Sequence, residues 1–256
     1  MGPVSSPLVL LRDGFPSPVG LDTAVSSVLL RRVSDGVFPA ALRLHRPGAI
    51  VAFGPQDRHT PGYAAAVAAA RAAGFGAVER LAGGRAAVFH EGTISFSWVT
   101  PDPAPRLRIR ERFVDISALM ADAFLRVGVD SRVGEVPGEY CPGGFSVNAG
   151  GRRKLMGVGQ RLVHHAAHVG GVVVVDGADR IRDVLIPVYE ALGLAWDPST
   201  VGALVEEAPS VTWEDAAAAI EAVFAERHAM RPSTIPADVV DEARTLAGRF
   251  EPERSP

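Results

Sequence analysis

CPGGFSVNAGGRRKLMGVGQ, residues 141–160, holds the only cysteine and the only lysine of a 256-residue chain. Of the 26 residues that are Lys or Arg, that one lysine leaves 25 arginines, so positive charge is supplied by arginine everywhere else. Arginine and lysine serve a solvated face about equally, but only a lysine ammonium can give up its proton when desolvated. Lys154 is therefore marked out for chemistry. Cys141 lies thirteen residues upstream, after a Pro-Gly-Glu-Tyr turn and before Pro-Gly-Gly. That is a loop setting, unlike the apolar run in which a structural cysteine is normally buried. Phe145–Ala149 and Lys154–Val163 read as strands, with Gly150-Gly151 as the hairpin turn between them. The turn places Lys154 at the head of the second strand, where Gly157 and Gly159 leave room for a ligand to approach closely.

Working upstream, the segment ERLAGGRAAVFHEGTISFS, residues 79–97, is the second informative stretch. Gly83-Gly84 permits a turn with positive φ and exposes N–H groups, while Arg80 and Arg85 flank it with guanidinium groups, a combination suited to an anionic or carbonyl-bearing ligand. It is neither a Walker A sequence nor GxGxxG. Val88–His90 and Ile94–Trp98 alternate and read as two antiparallel strands. His90, at the end of the first, has the character of a hydrogen-bonded structural residue. Further upstream, Met1–Pro18 reads as extended and Leu21–Val33 as a helix. Ala41–Leu44 and Ala49–Phe53 read as strands, Pro61–Ala73 as an alanine-rich helix and Ala77–Arg80 as a strand.

Between the two key stretches, Arg106–Val127 is the longest helix. Its RLRIRER opening reads as a solvated face, one that would also suit an acidic carrier domain. Downstream, Val172–Val175 reads as a strand and Asp179–Leu192 as an amphipathic helix. Helices follow at Ser199–Glu206, Trp213–Arg227 and Ala237–Arg249, and Pro252–Pro256 reads as a tail. His164, His165 and His168 lack a neighbouring carboxylate or second thiol in the sequence, so no metal site is expected.

Composition bounds the function. Hydrophobic content of 47% with 21% charged residues is that of a globular chain. A net charge of −3 gives no general attraction to nucleic acid or an anionic membrane. One cysteine excludes a disulfide framework and agrees with a reducing cytoplasm. The first eleven residues lack the features of a signal peptide, and no run approaches the roughly 20 apolar residues of a membrane span.

Three blocks together resemble the lipoate–protein ligase and octanoyltransferase family of the biotin/lipoate ligase superfamily. Leu21–Gln56 is similar to its opening helix, strand and Gly-x-x-Gln turn. Arg80, Gly83, Gly84, Val88, Phe89 and His90 resemble its Arg-Arg-x-x-Gly-Gly…Val-Tyr/Leu-His motif. Gly151-Arg-Arg-Lys154-x-x-Gly157-x-x-Gln160-Arg161 resembles its Gly-x-Lys-x-x-Gly-Ser-Ala-Gln-Arg motif. The departures are Glu79 for the first arginine, one extra alanine before His90, Val158-Gly159 for Ser-Ala, and Phe145-Ser146 where ATP-dependent members place Asn-Asp. Arg85 and the loop thiol Cys141 instead resemble the octanoyltransferase branch.

The resemblance implies an α/β (α+β) fold, a central mostly antiparallel sheet flanked by helices. It implies a catalytic domain over residues 1–195 and a small helical segment over 196–256. It also implies a protein-lipoylation enzyme that passes an octanoyl or lipoyl group from an acyl carrier protein, through a thioester on Cys141, to a lysine of a lipoyl domain or glycine-cleavage H protein. Lys154 is expected to lower the thiol pKa and hold the thioester carbonyl. Arg80, Gly83, Gly84, Arg85, His90, Gly157 and Gln160 are expected to bind the substrate. No cofactor is needed for that transfer. The alternatives are an ATP- and Mg-dependent lipoate ligase acting through lipoyl-adenylate, and a non-catalytic lipoate- or biotin-binding module.

Overall fold

A computed structural model describes residues 7–252, so expectations for the first six residues and for most of the C-terminal tail lie outside the described residues. Among the described residues, eleven strands are interspersed with seven α-helices. They are β1 (Leu8–Leu11), α1 (Leu21–Ser34), β2 (Ala41–His45), β3 (Ile50–Phe53), α2 (Tyr63–Ala72), β4 (Gly76–Glu79), β5 (Ala87–Phe89), β6 (Thr93–Pro101) and α3 (Ile109–Arg126). The second half adds β7 (Ser131–Val133), β8 (Val147–Ala149), β9 (Arg153–Leu162), β10 (Ala166–Val174), α4 (Ala178–Leu192), α5 (Leu204–Glu207), α6 (Trp213–Ala225), β11 (Met230–Ser233) and α7 (Ala237–Leu246).

Eight strands form a sheet in the order β11-β1-β2-β6-β10-β9-β8-β7, and three form a second in the order β4-β3-β5. The large sheet is antiparallel except at β11-β1 and β1-β2. Helices α3 and α6 cover one face through Ile116, Met120, Phe124, Ile220 and Phe224, packed on Leu42, Phe96 and Val169. Helices α1 and α7 cover β1 and β2 through Val25, Leu29, Val239 and Ala243. The small sheet is backed by α2 and α4, with Val51, Phe53, Ala66, Val184 and Val188 at the centre of its core. This is the mixed architecture expected from the sequence.

Two details differ from the sequence reading. Residues 88–90 and 94–98 do not pair with each other: β5 pairs with β3, whereas β6 pairs with β2 and β10. The chain crosses between sheets at the short turn His90–Gly92, and this brings the small sheet over one face of the large one. The segment after residue 195 is also not purely helical. It contributes β11 to the sheet edge, and Val201 bridges to Lys154.

The β8–β9 hairpin turns at Gly150 and Gly151, at φ 55° and 77°, and the Asn148 side chain accepts the Gly151 N–H at 2.8 Å. Both glycines take these positive φ values without the steric cost that a Cβ would bring. β8 accompanies β9 only as far as Met156. Beyond it, the outer side of β9 is left to line a cavity.

Candidate active site

A cavity of about 400 Å³ lies between the outer half of β9, the start of α3 and the loop that carries Arg80 and the glycine pair, a volume within the ~300–1,000 Å³ typical of small-molecule sites. Cys141, Lys154, Arg80, Gly83, Gly84, Gly157 and Gln160 all line it. Its apolar wall is formed by Phe89, Phe113, Phe145, Val158, Leu162 and Val172, with Phe113 and Phe145 stacked at 4.9 Å between centroids. An aliphatic chain would bury its methylenes there at about 0.8 kcal/mol each.

Cys141 is the one non-glycine described residue with positive φ, at 43°. Such a conformation costs on the order of 1 kcal/mol and persists only where surrounding contacts enforce it. Here they do. The Cys141 N–H donates to the Tyr189 hydroxyl at 2.9 Å, and that hydroxyl donates to the Ala86 carbonyl at 3.0 Å. Lys154 Nζ donates to the Cys141 carbonyl at 2.8 Å, to the Tyr140 carbonyl at 3.0 Å and to Glu139 Oε1 at 2.9 Å. Burial, followed by the charges of Cys141 and other neighbours, raises the Tyr189 phenol pKa well above its ordinary value, so it stays protonated as the loop's tether.

This arrangement alters the role expected of the lysine. The Lys154 side chain is 1% exposed, and its three protons are matched by three acceptors. None is left for Sγ. Glu139 balances its charge and in turn fixes the loop, accepting from the Ser146 hydroxyl at 2.6 Å, from the Gly143 N–H at 3.1 Å and from the Val136 N–H at 3.0 Å. Lys154 thus acts on Cys141 through the backbone carbonyl, as a clamp.

The sulfur's own partners come from the other side. The Arg85 N–H points at Cys141 Sγ at 3.1 Å, and Arg80 Nη1 lies 3.9 Å from it. A hydrogen-bond donor and a guanidinium thus hold the sulfur from the side opposite Lys154. Glycine is required here: a Cβ on Gly84, at φ 113°, would stand 2.9 Å from Sγ. A Cβ on Gly159 would stand 2.9 Å from the Ala82 Cβ and 3.0 Å from the Gly83 carbonyl, so that glycine lets the arginine loop rest on β9.

Two expected ligand-binding residues are placed differently. Arg85 contributes its backbone to the sulfur, while its guanidinium turns to the buried Asp57 at 3.3 Å. Asp57 also accepts the Gly54 N–H at 2.8 Å, tying the first glycine turn to the second. His90 is 1% exposed and does not line the cavity; its Nδ1 accepts the Gly92 N–H at 3.0 Å, and its ring packs against Gly177 at the start of α4. Its position where the chain changes sheets fits a structural part. Gln160 accepts from Arg112 Nε at 3.0 Å and donates to the Ile109 carbonyl at 2.8 Å, pinning the start of α3 to β9. His168 is buried beside a smaller hollow of about 90 Å³ behind Arg80, which His45 also lines, whereas His164 and His165 are exposed. Among the described residues no three His, Cys, Asp or Glu side chains gather as a metal site.

Glu139, Tyr189 and Asp57 were not singled out by sequence. Only Glu139 carried a signal, as the carboxylate two residues before the loop thiol in a chain whose one lysine, if buried, would need a counter-charge.

With this geometry, comparison with known proteins becomes specific. The lipoyl protein ligase A/B catalytic domain profile matches residues 21–225. The chain belongs to this family. Among curated members it is 29% identical over 170 residues to the octanoyl-[GcvH]:protein N-octanoyltransferase of Geobacillus kaustophilus, covering 66% of this chain and 60% of that one. It is 27% identical over 163 residues to the lipoyl-[GcvH]:protein N-lipoyltransferase of Listeria monocytogenes, covering 64% and 58%. The match thus spans about three fifths of the length of either relative. The lipoyl ligase fold is clear in solved structures. Thermoplasma acidophilum Ta0514 with bound lipoic acid superposes with a TM-score of 0.76 at 19% identity, over 95% of this chain and 96% of that one. A lipoate-protein ligase A bound with ATP superposes with a TM-score of 0.74 at 19% identity, over 95% of both chains. No helix among the described residues is long and apolar enough to cross a membrane.

Proposed function

We propose that this chain is a protein acyltransferase that moves an octanoyl or lipoyl group onto a lysine amine of a lipoyl domain through a thioester on Cys141, with the glycine-cleavage H protein as one of its protein substrates. The observation that carries this reading is the sulfur itself: a strained loop residue at the edge of an apolar-walled cavity, facing an N–H at 3.1 Å and a guanidinium at 3.9 Å. In the first half-reaction the thiolate attacks the acyl carbonyl of the donor. The new S–C bond forms as the bond to the donor's sulfur or nitrogen breaks; a sulfur leaves as its thiolate, and a nitrogen leaves as the amine after taking a proton from solvent. In the second, a neutral lysine amine of the acceptor attacks the thioester, the C–S bond breaks, the thiolate returns, and the amine's surplus proton passes to solvent. Arg80 and the glycine-loop amides orient the acyl group, and the Phe113–Phe145 wall holds its chain. Clamping by Lys154 and Glu139 keeps the sulfur aimed into the cavity.

Two donors fit this scheme: an acyl carrier thioester, and the octanoyl- or lipoyl-lysine of an H protein. The names of the Geobacillus and Listeria relatives, which pair acylated GcvH with a protein, favour the second. An ATP-dependent ligase is the rival reading, favoured by the presence of Lys154 in the cavity. In it, ATP with Mg would activate a free acid, and Cys141 would be a bystander.

Intact-mass measurement after incubation with each donor decides between them. The expected result is an adduct of one octanoyl group that is absent in Cys141→Ser, with acylation of a lipoyl domain lost in the same variant. Product formed only with ATP and free acid, and undiminished in Cys141→Ser, would replace this reading with the ligase. Failure of every donor, with lipoate binding retained, would leave a non-catalytic binding module.

A further inference from the structure

An acyl acceptor that is a lysine on a folded protein must cover the mouth of the cavity, so the chemistry of the rim describes the partner. One side of that rim is the segment from Asp102 to Val114, of which Ile109 and Phe113 line the cavity. It is braced from beneath. The buried Asp102 accepts the Ala104 N–H at 2.9 Å and Arg112 at 2.6 Å. Arg112 also donates to the Pro105 carbonyl and to Gln160, which returns a bond to the Ile109 carbonyl. Every one of these bonds is internal to the chain.

The outward face of this segment is both apolar and cationic. Leu107 is 84% exposed, Ile109 40% and Val114 43%, so three of the seven exposed large apolar residues among the described ones lie on this single ridge. Exposed apolar side chains gathered in this way mark interaction sites, whereas scattered ones do not. Arg106 and Arg110 flank Leu107 and Ile109, exposed and without an ion pair among the described residues, and Arg161, beside Gln160 on β9, is likewise exposed and unpaired among them. Arg108 is already committed to Asp102 at 3.1 Å. Only Glu111 and the half-buried Asp115 oppose these charges on the ridge itself. The chain as a whole carries −3, so an acidic partner is attracted locally at this ridge and gains no net attraction from the molecule as a whole.

We infer that the ridge Arg106–Arg110 is the docking surface for the lipoyl domain that accepts the acyl group, which meets it through an acidic, partly apolar face that places the acceptor lysine over Cys141. The inference rests on the transferase reading for its occupant, and its test separates the two. Arg106→Glu/Arg110→Glu is compared with the unsubstituted full chain and with Arg231→Glu, a reversal on the far edge strand. Transfer between an octanoylated H protein and a lipoyl domain is expected to lose about tenfold or more in kcat/KM, mainly through KM. Acylation of Cys141 by a small octanoyl thioester of N-acetylcysteamine is expected to stay at the unsubstituted rate, and Arg231→Glu to change neither. Calorimetric titration of the H protein and the lipoyl domain into Cys141→Ser, with and without the two reversals, reads docking apart from chemistry. Equal lipoyl-domain affinity with and without the reversals would overturn the inference, as would binding of the H protein alone or no binding of the lipoyl domain to the unreversed chain. Weakened binding in a chain that proves unable to form any thioester would uphold the docking surface and remove the transferase reading.

Discussion

The two flanks of Cys141 solve opposite problems. On one side Lys154 and Glu139 form a buried ion pair whose protons and lone pairs are spent on the loop backbone. On the other, Arg80 and the Gly83–Arg85 turn offer the sulfur a guanidinium and a single N–H, with glycine at the point of closest approach. The first flank is a fastening and the second a chemical environment. A lone lysine near a lone thiol invites the opposite assignment, and the difference shows that proximity in a cavity is a weaker guide than counting where each proton goes.

The largest effect should come from breaking the fastening. Lys154→Ala leaves Glu139 as an unpaired buried carboxylate and is expected to cost about 3–5 kcal/mol of stability, read as a lowered urea midpoint. Glu139→Gln with Lys154→Met removes both charges and is expected to recover most of that loss. Cys141 acylation should nonetheless remain slow, because the carbonyls of Tyr140 and Cys141 have lost their common donor. Full recovery of acylation would show that the lysine flank merely fills space.

Two substitutions one residue apart sharpen the other side. Gly84→Ala forces a side chain into positive φ and toward the sulfur, with an expected cost of about 1–3 kcal/mol and an acylation rate reduced by about a hundredfold if the sulfur moves by ~1 Å. Arg85→Ala keeps the backbone donor. It should acylate within about threefold of the unsubstituted rate while losing about 1–3 kcal/mol, because Asp57 is left with the Gly54 N–H alone. Stopped acylation followed by mass spectrometry, paired with thermal melts, checks both.

The smallest effect lies behind Arg80. Burial first, with Arg80's charge adding to it, lowers the His168 pKa to about 4, against about 6.5 in an unfolded chain. Between those values the unfolded state binds the extra proton. Stability is therefore fully present above about pH 6.5 and erodes as the pH falls toward 4, by no more than about 3 kcal/mol. Burial shifts His45 the same way, with Arg43 adding to it and Asp22 opposing it. His168→Gln should consequently flatten the dependence of melting temperature on pH between 7 and 5 without abolishing it. An unchanged slope would show that His168 is not the group responsible.

Much of this architecture could be read from the sequence, and the exceptions share a cause. The hairpin at Gly150-Gly151 and the helices α1, α3, α4 and α6 announce themselves through turn chemistry and periodicity, which are local. β1 does not. Leu8–Leu11 is buried on both faces, with Leu8 and Leu10 in one core and Val9 and Leu11 in another, so it shows no alternation and reads only as apolar chain in a proline-rich start. β11, Met230–Ser233, contains a proline and is mostly exposed; it is a strand because β1 lies beside it. β10 begins at Ala166 rather than at Val172, its first half hidden by histidine and paired glycines. At the site, Cys141, Lys154, Arg80 and the glycines could be named because their types are rare or their motif is dense. The roles of Glu139, Tyr189 and Asp57 depend on contacts formed after folding, and so does the turning away of Arg85 and His90 from the cavity.

The pairing of Leu8 with Met230 also bears on how the molecule comes into being. A ribosome releases β1 long before its outer neighbour β11, so while the intervening residues are made that side of β1 is an open template of N–H and C=O groups. Any nascent or clipped chain lacking β11 would offer the same edge to other chains, which makes the addition of that strand a safeguard against aggregation as well as a late step in building this sheet.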